Sequence, residues 1–409
     1  MSRPILFIAG RDPQLETAGG HSAYVRAHCR AALRKDFEPH LFCVSRASGS
    51  VETEYGIVHR ACSPVVRLTG IWTRGAPIDV PIIAGLVTRL APRLGHSHLI
   101  HGFAHWASAG VVARDRLRRR GIAVTTASSF YTTVRHESIA IRDQRLRQDP
   151  GRLAVRPHLR HAWLALALGG HERRAVRRSQ VLLANYEHVR GLLDAEYGVG
   201  ERVRLLPYAS ETAFEATRSA WRLPAPTPSP LIVAVSRQDP RKGVDRLIAA
   251  LARLAGAGLD FRAELVGPGP LLERHRRLVR DLGLGDRVAL PGEIPEVMRV
   301  LRRAALFVLP SLEEGSGSLA LLEALQAGVP VVASACDGVV EDITHEVNGL
   351  LVAPGDVAAL TAAIHRLFHD EPLRRRIAAA GRRTFEERFS APAFADAIGR
   401  LYAELGFEP

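Results

Sequence analysis

The stretch VAVSRQDPRKGVDRLIAAL, residues 233–251, decides the fold because it joins a strand, a polar loop and a helix in succession. The apolar run ends at Ser236, and a helical pattern begins near Gly243. Arg237 and Lys242 bracket the loop between them. Open α/β sheets bind anions where strands end and helices begin, so two cations there can neutralise a diphosphate as it becomes a leaving group. The structural alternative is a solvated loop with two exposed charges.

Lysine is scarce in this chain. Of the 55 basic side chains, only Lys35 and Lys242 are lysines, and the others are arginines. A lysine retained where a phosphate would bind favours the functional interpretation of Lys242.

On both sides of this stretch, short apolar runs alternate with helical patterns, which is typical of parallel α/β architecture. The predicted strands are 4–10, 40–45, 98–103, 123–127 and 181–185 in the first half, and 231–236, 263–267, 288–291, 306–310, 329–333 and 349–352 in the second. The two series predict two consecutive Rossmann-like domains, which suits a chain of 409 residues.

The domain boundary is predicted from proline content. Residues 223–230 read LPAPTPSP, and four prolines in eight residues indicate a stiff, extended connector. We therefore predict a first domain over 1–205, a second over 206–390 and a terminal helix within 391–409. That helix either docks on the second domain or crosses back to the first.

A second motif, LPSLEEGSGSLALLEALQAGVPVVAS, covers residues 309–334. A strand leads into an acidic, glycine-rich loop and then a helix, at whose start free amides can hold a phosphate or sugar hydroxyls. The loop residues concerned are Gly315, Ser316, Gly317, Ser318 and Leu319. Glu314 and Glu323 flank them, and carboxylates are good acceptors for sugar and ribose hydroxyls. Ser318 as a helix cap and Glu323 as a surface residue are the alternatives.

With these motifs, the chain resembles the retaining GT-B glycosyltransferases of family 4. The pieces VSRQDPRKG, ELVGPGP, ALPGEIP, LFVLPSLEEG, LLEALQAGVPVVAS and NGLLVAPGD follow one another in that family's order. The resemblance implies two Rossmann-like domains facing each other across a donor-binding cleft. It also implies that Arg237 and Lys242 hold the donor diphosphate, that Glu314 faces the donor sugar and that Glu323 holds the ribose.

The spacing of the two glutamates departs from the family. Eight residues separate Glu314 from Glu323 where the family has seven, and the extra residue falls in the Gly-Ser loop. The LLEAL run and the glycine after it identify Glu323, whereas amides near 316–319 are expected to share the role of Glu314. The family holds the nucleotide base largely by backbone at the segment that contains Gly292 and Ile294.

The first half matches the family through a glycine pair, Gly19 and Gly20, between the first strand and the first helix. The resemblance implies that this pair touches the donor phosphates or the acceptor, and a tight turn is the alternative. His136 and Glu137 lie in a loop that is a second candidate for acceptor contact.

A histidine that the family carries near the transferred sugar is replaced here. Ser128 and Ser129 stand in its place, so they are acceptor-side candidates. His101 and His105, at the end of the preceding strand, are the catalytic candidates to substitute for it. The alternative for each histidine is a hydrogen-bonded residue of the core or the cleft wall.

Several other site classes are excluded by spacing. No D-x-D motif occurs, so the metal-carboxylate site of GT-A transferases is missing. His96 and His98 would share one face of a strand and His101 would not, which excludes a zinc site. The fragment VGPGP at 266–270 lacks the complete dinucleotide fingerprint, so NAD binding is not expected. The four cysteines have no CxxC spacing and indicate reduced thiols in a cytoplasmic protein.

The formal charge of +13 is unevenly distributed. Residues 1–200 contain 29 basic and 15 acidic side chains, against 26 and 27 in the remainder. Arginine clusters at 114–120, 142–160 and 173–178 predict attraction to an anionic membrane surface or an acidic acceptor, or else solvated helix faces. Nucleic acid is not an expected partner, because aromatic residues make up 6% of the chain and are not interleaved with the arginines.

The sequence thus predicts a metal-independent, retaining glycosyltransferase without a cofactor, whose donor is a UDP-sugar or, next, a GDP-sugar. Its acceptor is a hydroxyl in glycan, glycolipid or natural-product synthesis, and no apolar run reaches the ~18 residues of a membrane span. A nucleotide-sugar epimerase and a non-catalytic nucleotide-sugar or polyanion-binding protein are the alternatives.

Overall fold

The computed structural model describes residues 3–14, 20–69, 76–139, 155–214 and 229–409. Gly19, most of the proline-rich connector and the arginines between 142 and 152 lie outside the described residues. The chain divides into two compact units. The first contains residues 1–146, 151–214 and 390–409, and the second contains residues 147–150 and 215–389.

The first unit is built on an eight-stranded sheet whose strands pair in parallel, apart from one antiparallel hairpin. Its strands are β1 (Arg3–Ile8), β2 (Phe37–Ser45), β3 (Gly49–Thr53), β4 (Gly56–Cys62), β5 (Ser97–Phe103), β6 (Ala123–Phe130), β7 (Val181–Ala184) and β8 (Val203–Leu205). They lie in the order β3-β4-β2-β1-β5-β6-β7-β8. The sheet order reverses direction between β1 and β5, which is the switch point of a Rossmann-like sheet.

Helices follow the strands in the described part of the first unit. They are α1 (Gly20–Leu33), α2 (Pro64–Thr69), α3 (Ala76–Leu90), α4 (Ala107–Arg118), α5 (Val155–Arg178) and α6 (Glu187–Tyr197). A core of buried aliphatic and aromatic side chains, including Ile8, Phe42, Ile83 and Ile100, joins the sheet to α3 and α4. Three strands of this unit, β3, β4 and β8, have no counterpart among the predicted strands.

The second unit contains a fully parallel six-stranded sheet. Its strands are β9 (Leu231–Val235), β10 (Arg262–Val266), β11 (Val288–Gly292), β12 (Leu306–Leu309), β13 (Val331–Ser334) and β14 (Leu350–Val352). All six coincide with predicted strands to within two residues at either end. Their order, β11-β10-β9-β12-β13-β14, is the Rossmann order. The switch point therefore lies between β9 and β12.

Seven helices complete the described part of this unit. They are α7 (Val244–Gly256), α8 (Leu272–Asp281), α9 (Val297–Leu301), α10 (Leu319–Ala327), α11 (Val339–Asp342), α12 (Val357–His369) and α13 (Glu371–Thr384). The apolar stripe of α7, which includes Leu247 and Leu251, packs on the same core as Ile364 of α12. No helix in the described ranges combines the length and the apolar character that a membrane crossing requires.

The last helix, α14 (Ala391–Glu404), belongs to the first unit. Asp396 forms an ion pair with Lys35, and the Phe394 ring packs edge-on against His28 with centroids 4.9 Å apart. Glu404 accepts a hydrogen bond from Arg204 at 2.8 Å. The terminal helix thus packs on α1 and contacts β8 of the first sheet.

Residues 206–214 also stay with the first unit, although the connector pattern assigns them to the second. The physical reason is the carboxylate of Glu211, which lies 2.6 Å from the guanidinium of Arg26 and 3.4 Å from that of Arg30 on α1. These ion pairs fasten the segment to α1 and extend the first unit to Phe214.

The structure corrects the prediction for His101. Its side chain is 0% exposed on β5, and its two ring nitrogens lie 2.9 Å from the Tyr402 hydroxyl and 2.7 Å from the Ser129 hydroxyl. Burial holds the pKa of this histidine well below its usual value, so the ring is neutral. His101 is a core residue that ties α14 to the sheet.

Ser128 and Ser129, the predicted acceptor-side serines, are corrected in the same way. Both are buried on β6, where Ser129 is held by His101 and the hydroxyl of Ser128 lies 2.6 Å from that of Ser179. Neither side chain is placed to meet a ligand.

We predict that Tyr402→Phe lowers the free energy of unfolding by about 1–3 kcal/mol, because one nitrogen of buried His101 loses its partner. Tyr55→Phe is the matched control, since the Tyr55 hydroxyl is buried with no hydrogen-bond partner in the described part of the chain. Urea unfolding of both variants measures the difference. Equal stability of the two variants would contradict the role of the His101 contact.

A buried carboxylate, Glu172 on α5, holds the segment after β6. It is 1% exposed, and it accepts hydrogen bonds from the Val134 amide at 2.8 Å and the Tyr197 hydroxyl at 2.6 Å. Burial raises the pKa of Glu172 from 4.5 to about 7. Because the folded pKa exceeds the unfolded one, this residue's contribution to stability is complete below pH 4.5 and is lost as the pH rises through 7.

Glu172→Gln should therefore flatten the pH dependence of stability. Between pH 5 and 8.5 we expect the wild type to lose up to about 3 kcal/mol relative to this variant. The measurement is urea unfolding at both pH values, with Glu187→Gln, a half-exposed glutamate on α6, as the control. Parallel pH profiles for the wild type and Glu172→Gln would show that the buried carboxyl does not titrate in this range.

Candidate functional site

Two loops meet at the switch point of the second sheet, one after β9 and one after β12. The Arg241 carbonyl in the first loop accepts hydrogen bonds from the amides of Leu312 at 2.6 Å and Glu313 at 3.2 Å in the second. Ligands of open α/β sheets bind in the crevice outside the carboxyl ends of the strands at such a point. The two strongest sequence motifs therefore form one site.

The close approach of these loops requires the glycine that follows Lys242. Gly243 has a φ of +58°, and a β-carbon at this position would lie 2.1 Å from the Pro310 carbonyl oxygen. Any other residue would clash with that carbonyl and strain the backbone. The Lys-Gly pair thus turns the chain into α7 and brings the lysine against the second loop.

Lys242 and Glu314 form an ion pair at the centre of the site. The Lys242 Nζ lies 2.6 Å from one carboxylate oxygen of Glu314, and the side chains are 15% and 5% exposed. The Ser311 hydroxyl donates to the other oxygen at 2.5 Å. The carboxylate is thus satisfied on both oxygens, as a nearly buried charge must be.

Arg237 occupies a different environment. Its side chain is 71% exposed, and its Nε lies 4.0 Å from the carboxylate of Asp239. Asp239 itself is buried and caps the turn that leads to Lys242 by accepting the Arg241 amide at 3.1 Å. The two predicted cations therefore flank one loop, with Lys242 tied down and Arg237 extended into solvent.

The loop between β9 and Lys242 is held by the segment that follows β10 and by α8. The backbone amide of the buried Gln238 donates a hydrogen bond to the Pro268 carbonyl at 2.8 Å, and the Gln238 side-chain oxygen lies 2.7 Å from His275 Nδ1. Gly269 has a φ of +157°, and a β-carbon there would come within 2.5 Å of the Gln238 carbonyl. The backbone of the VGPGP fragment therefore packs against the first loop and supports it.

The Gly-Ser loop leads directly into α10. Gly315 has a φ of +81°, and Ser318 caps the helix by accepting the Leu321 amide. Glu323 lies on α10 one turn after Leu319 and is half-buried. Gly317 completes the loop.

At the far side of the sheet, Gly292 ends β11 with a φ of +82°, and its carbonyl accepts the Gly267 amide at 2.7 Å. Ile294 follows it, half-buried. The base-binding segment inferred from the family thus sits beside β10.

The first unit has its own switch point, between β1 and β5. His105 follows β5, and its buried Nε2 has no hydrogen-bond partner among the described residues. His21, on the first turn of α1, lies with its Nδ1 2.6 Å from the Tyr131 hydroxyl. Burial, with the positive charge of Arg11 adding to it, lowers the pKa of both histidines to about 3. Both rings are neutral at physiological pH.

The other predicted residues of this unit lie at the start of α1 and in the segment after β6, or outside the described ranges. Gly20 begins α1, and Gly19 is not described. His136 and Glu137 lie in a helical segment over 134–139, where the Thr133 hydroxyl accepts the His136 amide at 3.1 Å. Glu137 is exposed, and His136 is half-buried.

Sequence reasoning missed Asp337 at the switch-point site and His21 in the first unit. Asp337 follows β13 and accepts hydrogen bonds from the amides of Glu314 and Gly315. The Asp-Gly dipeptide at 337–338 is a turn signal, which could have located this residue. Nothing in the spacing indicated where its carboxylate would bind. Within the described part of the chain, no group of three His, Cys, Asp or Glu side chains could hold a metal ion.

Known proteins resemble both the second unit and the whole fold. Residues 215–384 match the sequence family described as Glycosyl transferases group 1. The lipopolysaccharide core biosynthesis glycosyltransferase LpsD of Rhizobium meliloti (strain 1021) is 37% identical over 180 residues, which is 44% of this chain and 51% of that protein. Matches to the first three curated relatives span 18%, 51% and 60% of their lengths.

Solved structures match nearly the entire chain. Sucrose-phosphate synthase from Thermosynechococcus elongatus superposes with a TM-score of 0.73 and 24% identity, covering 99% of both chains. Anabaena Alr3699/HepE in complex with UDP-glucose superposes with a TM-score of 0.67 and 18% identity, covering 98% of this chain and 99% of that one. The chain has the GT-B fold of these structures, and its residues 215–384 match the Glycosyl transferases group 1 family.

Proposed function

We propose that this chain is a retaining, metal-independent glycosyltransferase that moves a sugar from a nucleotide-diphosphate sugar to an acceptor hydroxyl. The observation that carries the proposal is the Lys242–Glu314 ion pair at the switch point of the second sheet. A cation of the kind that neutralises a diphosphate lies beside a carboxylate of the kind that accepts hydrogen bonds from sugar hydroxyls, in the unit whose residues 215–384 match the transferase family, and this supports the proposal. The complex of HepE with UDP-glucose, on the same fold, favours UDP-sugars as the first donors to test.

In the proposed reaction, the bond between the anomeric carbon and the diphosphate oxygen breaks as the acceptor oxygen bonds to that carbon on the same face. The acceptor proton passes to the departing phosphate oxygen. Lys242 stabilises the negative charge that develops on the diphosphate, and the exposed Arg237 closes on it from solvent. Glu314 accepts a hydrogen bond from a hydroxyl of the donor sugar, and Glu323 accepts hydrogen bonds from the ribose hydroxyls. These two cations take the charge-neutralising role for which other transferases use a metal.

The acceptor is proposed to bind the first unit, whose basic side chains suit an anionic partner. Arg118 and Arg119 at the end of α4 and Arg173, Arg174 and Arg177 on α5 are exposed, and we call them the basic face. The ends of the two helices are joined, because Arg178 pairs with Asp115 on α4 at 3.0 Å. A lipid-linked or otherwise anionic acceptor at a membrane surface fits this charge.

The donor is identified by thermal shift with UDP-, GDP-, ADP- and TDP-sugars, since a ligand that binds only the folded state raises the unfolding midpoint. One sugar nucleotide is expected to stabilise the protein more than the others. Analysis of the products without acceptor separates the alternatives, because an epimerase returns an isomerised sugar nucleotide and a transferase releases nucleotide and sugar slowly. Stabilisation by none of the four would contradict the proposal.

We predict that Lys242→Ala lowers turnover of that donor by about 10²–10³-fold, because the developing charge loses its fixed cation. The chain provides a matched control in its only other lysine. Lys35 pairs with Asp396 in the first unit, and Lys35→Ala should retain the wild-type rate. Full activity of Lys242→Ala would show that the diphosphate is held elsewhere.

The basic face is tested with the full chain and vesicles of neutral lipid or of neutral lipid mixed with anionic phosphatidylglycerol. Binding is expected only to the anionic vesicles and is expected to weaken with salt. Replacing Arg119, Arg173 and Arg177 with alanine should reduce it at least threefold. Equal binding of the wild type and this variant would exclude the basic face as the contact.

A further inference from the structure

The loop between Glu314 and α10 has a flexible composition but must keep one backbone conformation if Glu314 is to stay in place. It contains two glycines and two serines, residues that favour many backbone conformations, and it lies at the point where Glu314 must be held against Lys242. Fixing each residue in one conformation costs conformational entropy, and glycine loses the most. A group outside the loop must offset this cost if the carboxylate is to keep one position.

The carboxylate of Asp337 is that group. Its Oδ2 accepts hydrogen bonds from two consecutive amides, Glu314 at 2.6 Å and Gly315 at 2.7 Å. Two successive amides pointing at one anionic oxygen form the kind of concavity that binds free anions in other proteins. Hydrogen bonds to an ionised acceptor are about twice as strong as neutral ones. Here an internal carboxylate occupies that concavity, so these two amides hold the protein's own anion.

The turn that carries Asp337 is adapted to this task. Asp337 has a φ of +46°, in the left-handed region that residues with a β-carbon rarely adopt but aspartate tolerates. The next residue, Gly338, donates its amide to the Ser316 carbonyl at 2.8 Å. The preceding residue, Cys336, directs its thiol at the Ser311 carbonyl at 3.7 Å. Three consecutive residues after β13 thus fasten the whole acidic loop.

These contacts determine where the Glu314 side chain points. With its backbone held by Asp337, its two oxygens reach Ser311 and Lys242 at 2.5 and 2.6 Å. Burial, followed by the negative charges of Glu314 and Asp337, raises the pKa of the Cys336 thiol to about 12. The thiol is therefore neutral and serves as a packing and hydrogen-bonding group.

We infer that Asp337 is a positioning residue: it holds the lengthened Gly-Ser loop so that Glu314 meets Lys242 and the donor sugar. The inference rests on the proposed function for its effect on turnover, but the anchoring itself is independent of any substrate. The same anchoring explains how the loop accommodates one extra residue between Glu314 and Glu323. The extra length lies in a turn whose backbone is hydrogen-bonded to the 337–338 segment at residues 314–316.

The anchoring is tested first without substrate, by hydrogen exchange of the peptide that covers 311–319 in the full-length protein. Asp337→Ala should increase the exchange rates of the Glu314 and Gly315 amides at least tenfold, whereas Asp337→Asn, which keeps an acceptor oxygen, should change them much less. Asp281→Ala, an exposed aspartate at the end of α8, is the control. Unchanged exchange in Asp337→Ala would overturn the inference.

The effect on the reaction is tested with whichever sugar nucleotide the thermal-shift screen selects. Asp337→Ala should lower kcat by about 10- to 100-fold, with KM changed less than about threefold, since misplacing a reacting group by 1 Å costs up to about 100-fold. Asp337→Asn should recover most of kcat. Asp337→Gly removes the strain of the positive φ without restoring the anchor, so it should resemble Asp337→Ala. A wild-type kcat in Asp337→Ala, or activity in Asp337→Gly matching the wild type, would contradict the positioning role.

A double-variant comparison separates positioning from direct contact. If Asp337 acts through Glu314, then Asp337→Ala should cost little further activity in a Glu314→Gln background. Multiplicative losses would mean that Asp337 acts on the donor independently. Should Asp337→Ala unfold, the exchange and kcat of Asp337→Gly, which also lacks the carboxylate but tolerates the positive φ, decide the question. Absence of turnover in the wild type would refute the proposed function, and the exchange result would still decide the anchor.

Discussion

The contact between the Lys242 ammonium and the Glu314 carboxylate is the interaction on which the second unit's site depends. A carboxylate that is only 5% exposed is strongly unfavourable unless a cation and further donors surround it. Each neighbouring feature meets that requirement. Gly243 lets the lysine loop approach Pro310, Ser311 donates to the second carboxylate oxygen, and Asp337 holds the backbone beneath it. The parallel sheet supplies the remaining condition, because β9 and β12 are adjacent and their carboxyl ends deliver both loops to one place.

The second unit could be predicted well because its information is local. Its strands are short, mostly apolar and mostly buried runs bounded by turn residues, and all six were located from the sequence. The motifs at 233–251 and 309–334 also showed which residue types lie at strand ends. The spacing of the motifs could not predict the ion pair between Lys242 and Glu314. The two residues are separated by 71 residues and meet only because the strand order brings their loops together. Asp337 shows the same limit, because an aspartate in a turn is a common signal and its target is decided by tertiary structure.

The first unit was harder to predict, and for a physical reason. The hairpin β3–β4 was missed because β3 is largely exposed and lacks an apolar run. His101 was a catalytic candidate because it stands at the end of a strand and was expected to substitute for the family's missing histidine, but one of its two partners is Tyr402, 301 positions later in the chain. Both nitrogens of the buried His101 are satisfied, and the sequence around β5 contains nothing that indicates a distant tyrosine. His105, one short turn beyond, retains a buried nitrogen without a partner in the described ranges and remains the candidate of the pair.

The ion pair also bears on which ligands the proposed site would accept. An anion that draws Lys242 away leaves Glu314 nearly buried without its cation, and breaking such a pair costs about 3–5 kcal/mol. Inorganic diphosphate would pair with the lysine but would offer the Glu314 carboxylate no sugar hydroxyl as a hydrogen-bond donor. A nucleotide-diphosphate sugar supplies both the anion and a neighbouring hydroxyl donor, so it can satisfy each partner as they separate. The same pairing would thus favour, at the proposed site, a ligand carrying phosphate and sugar together over either group alone, because the loop pinned by Asp337 keeps the carboxylate close to the lysine.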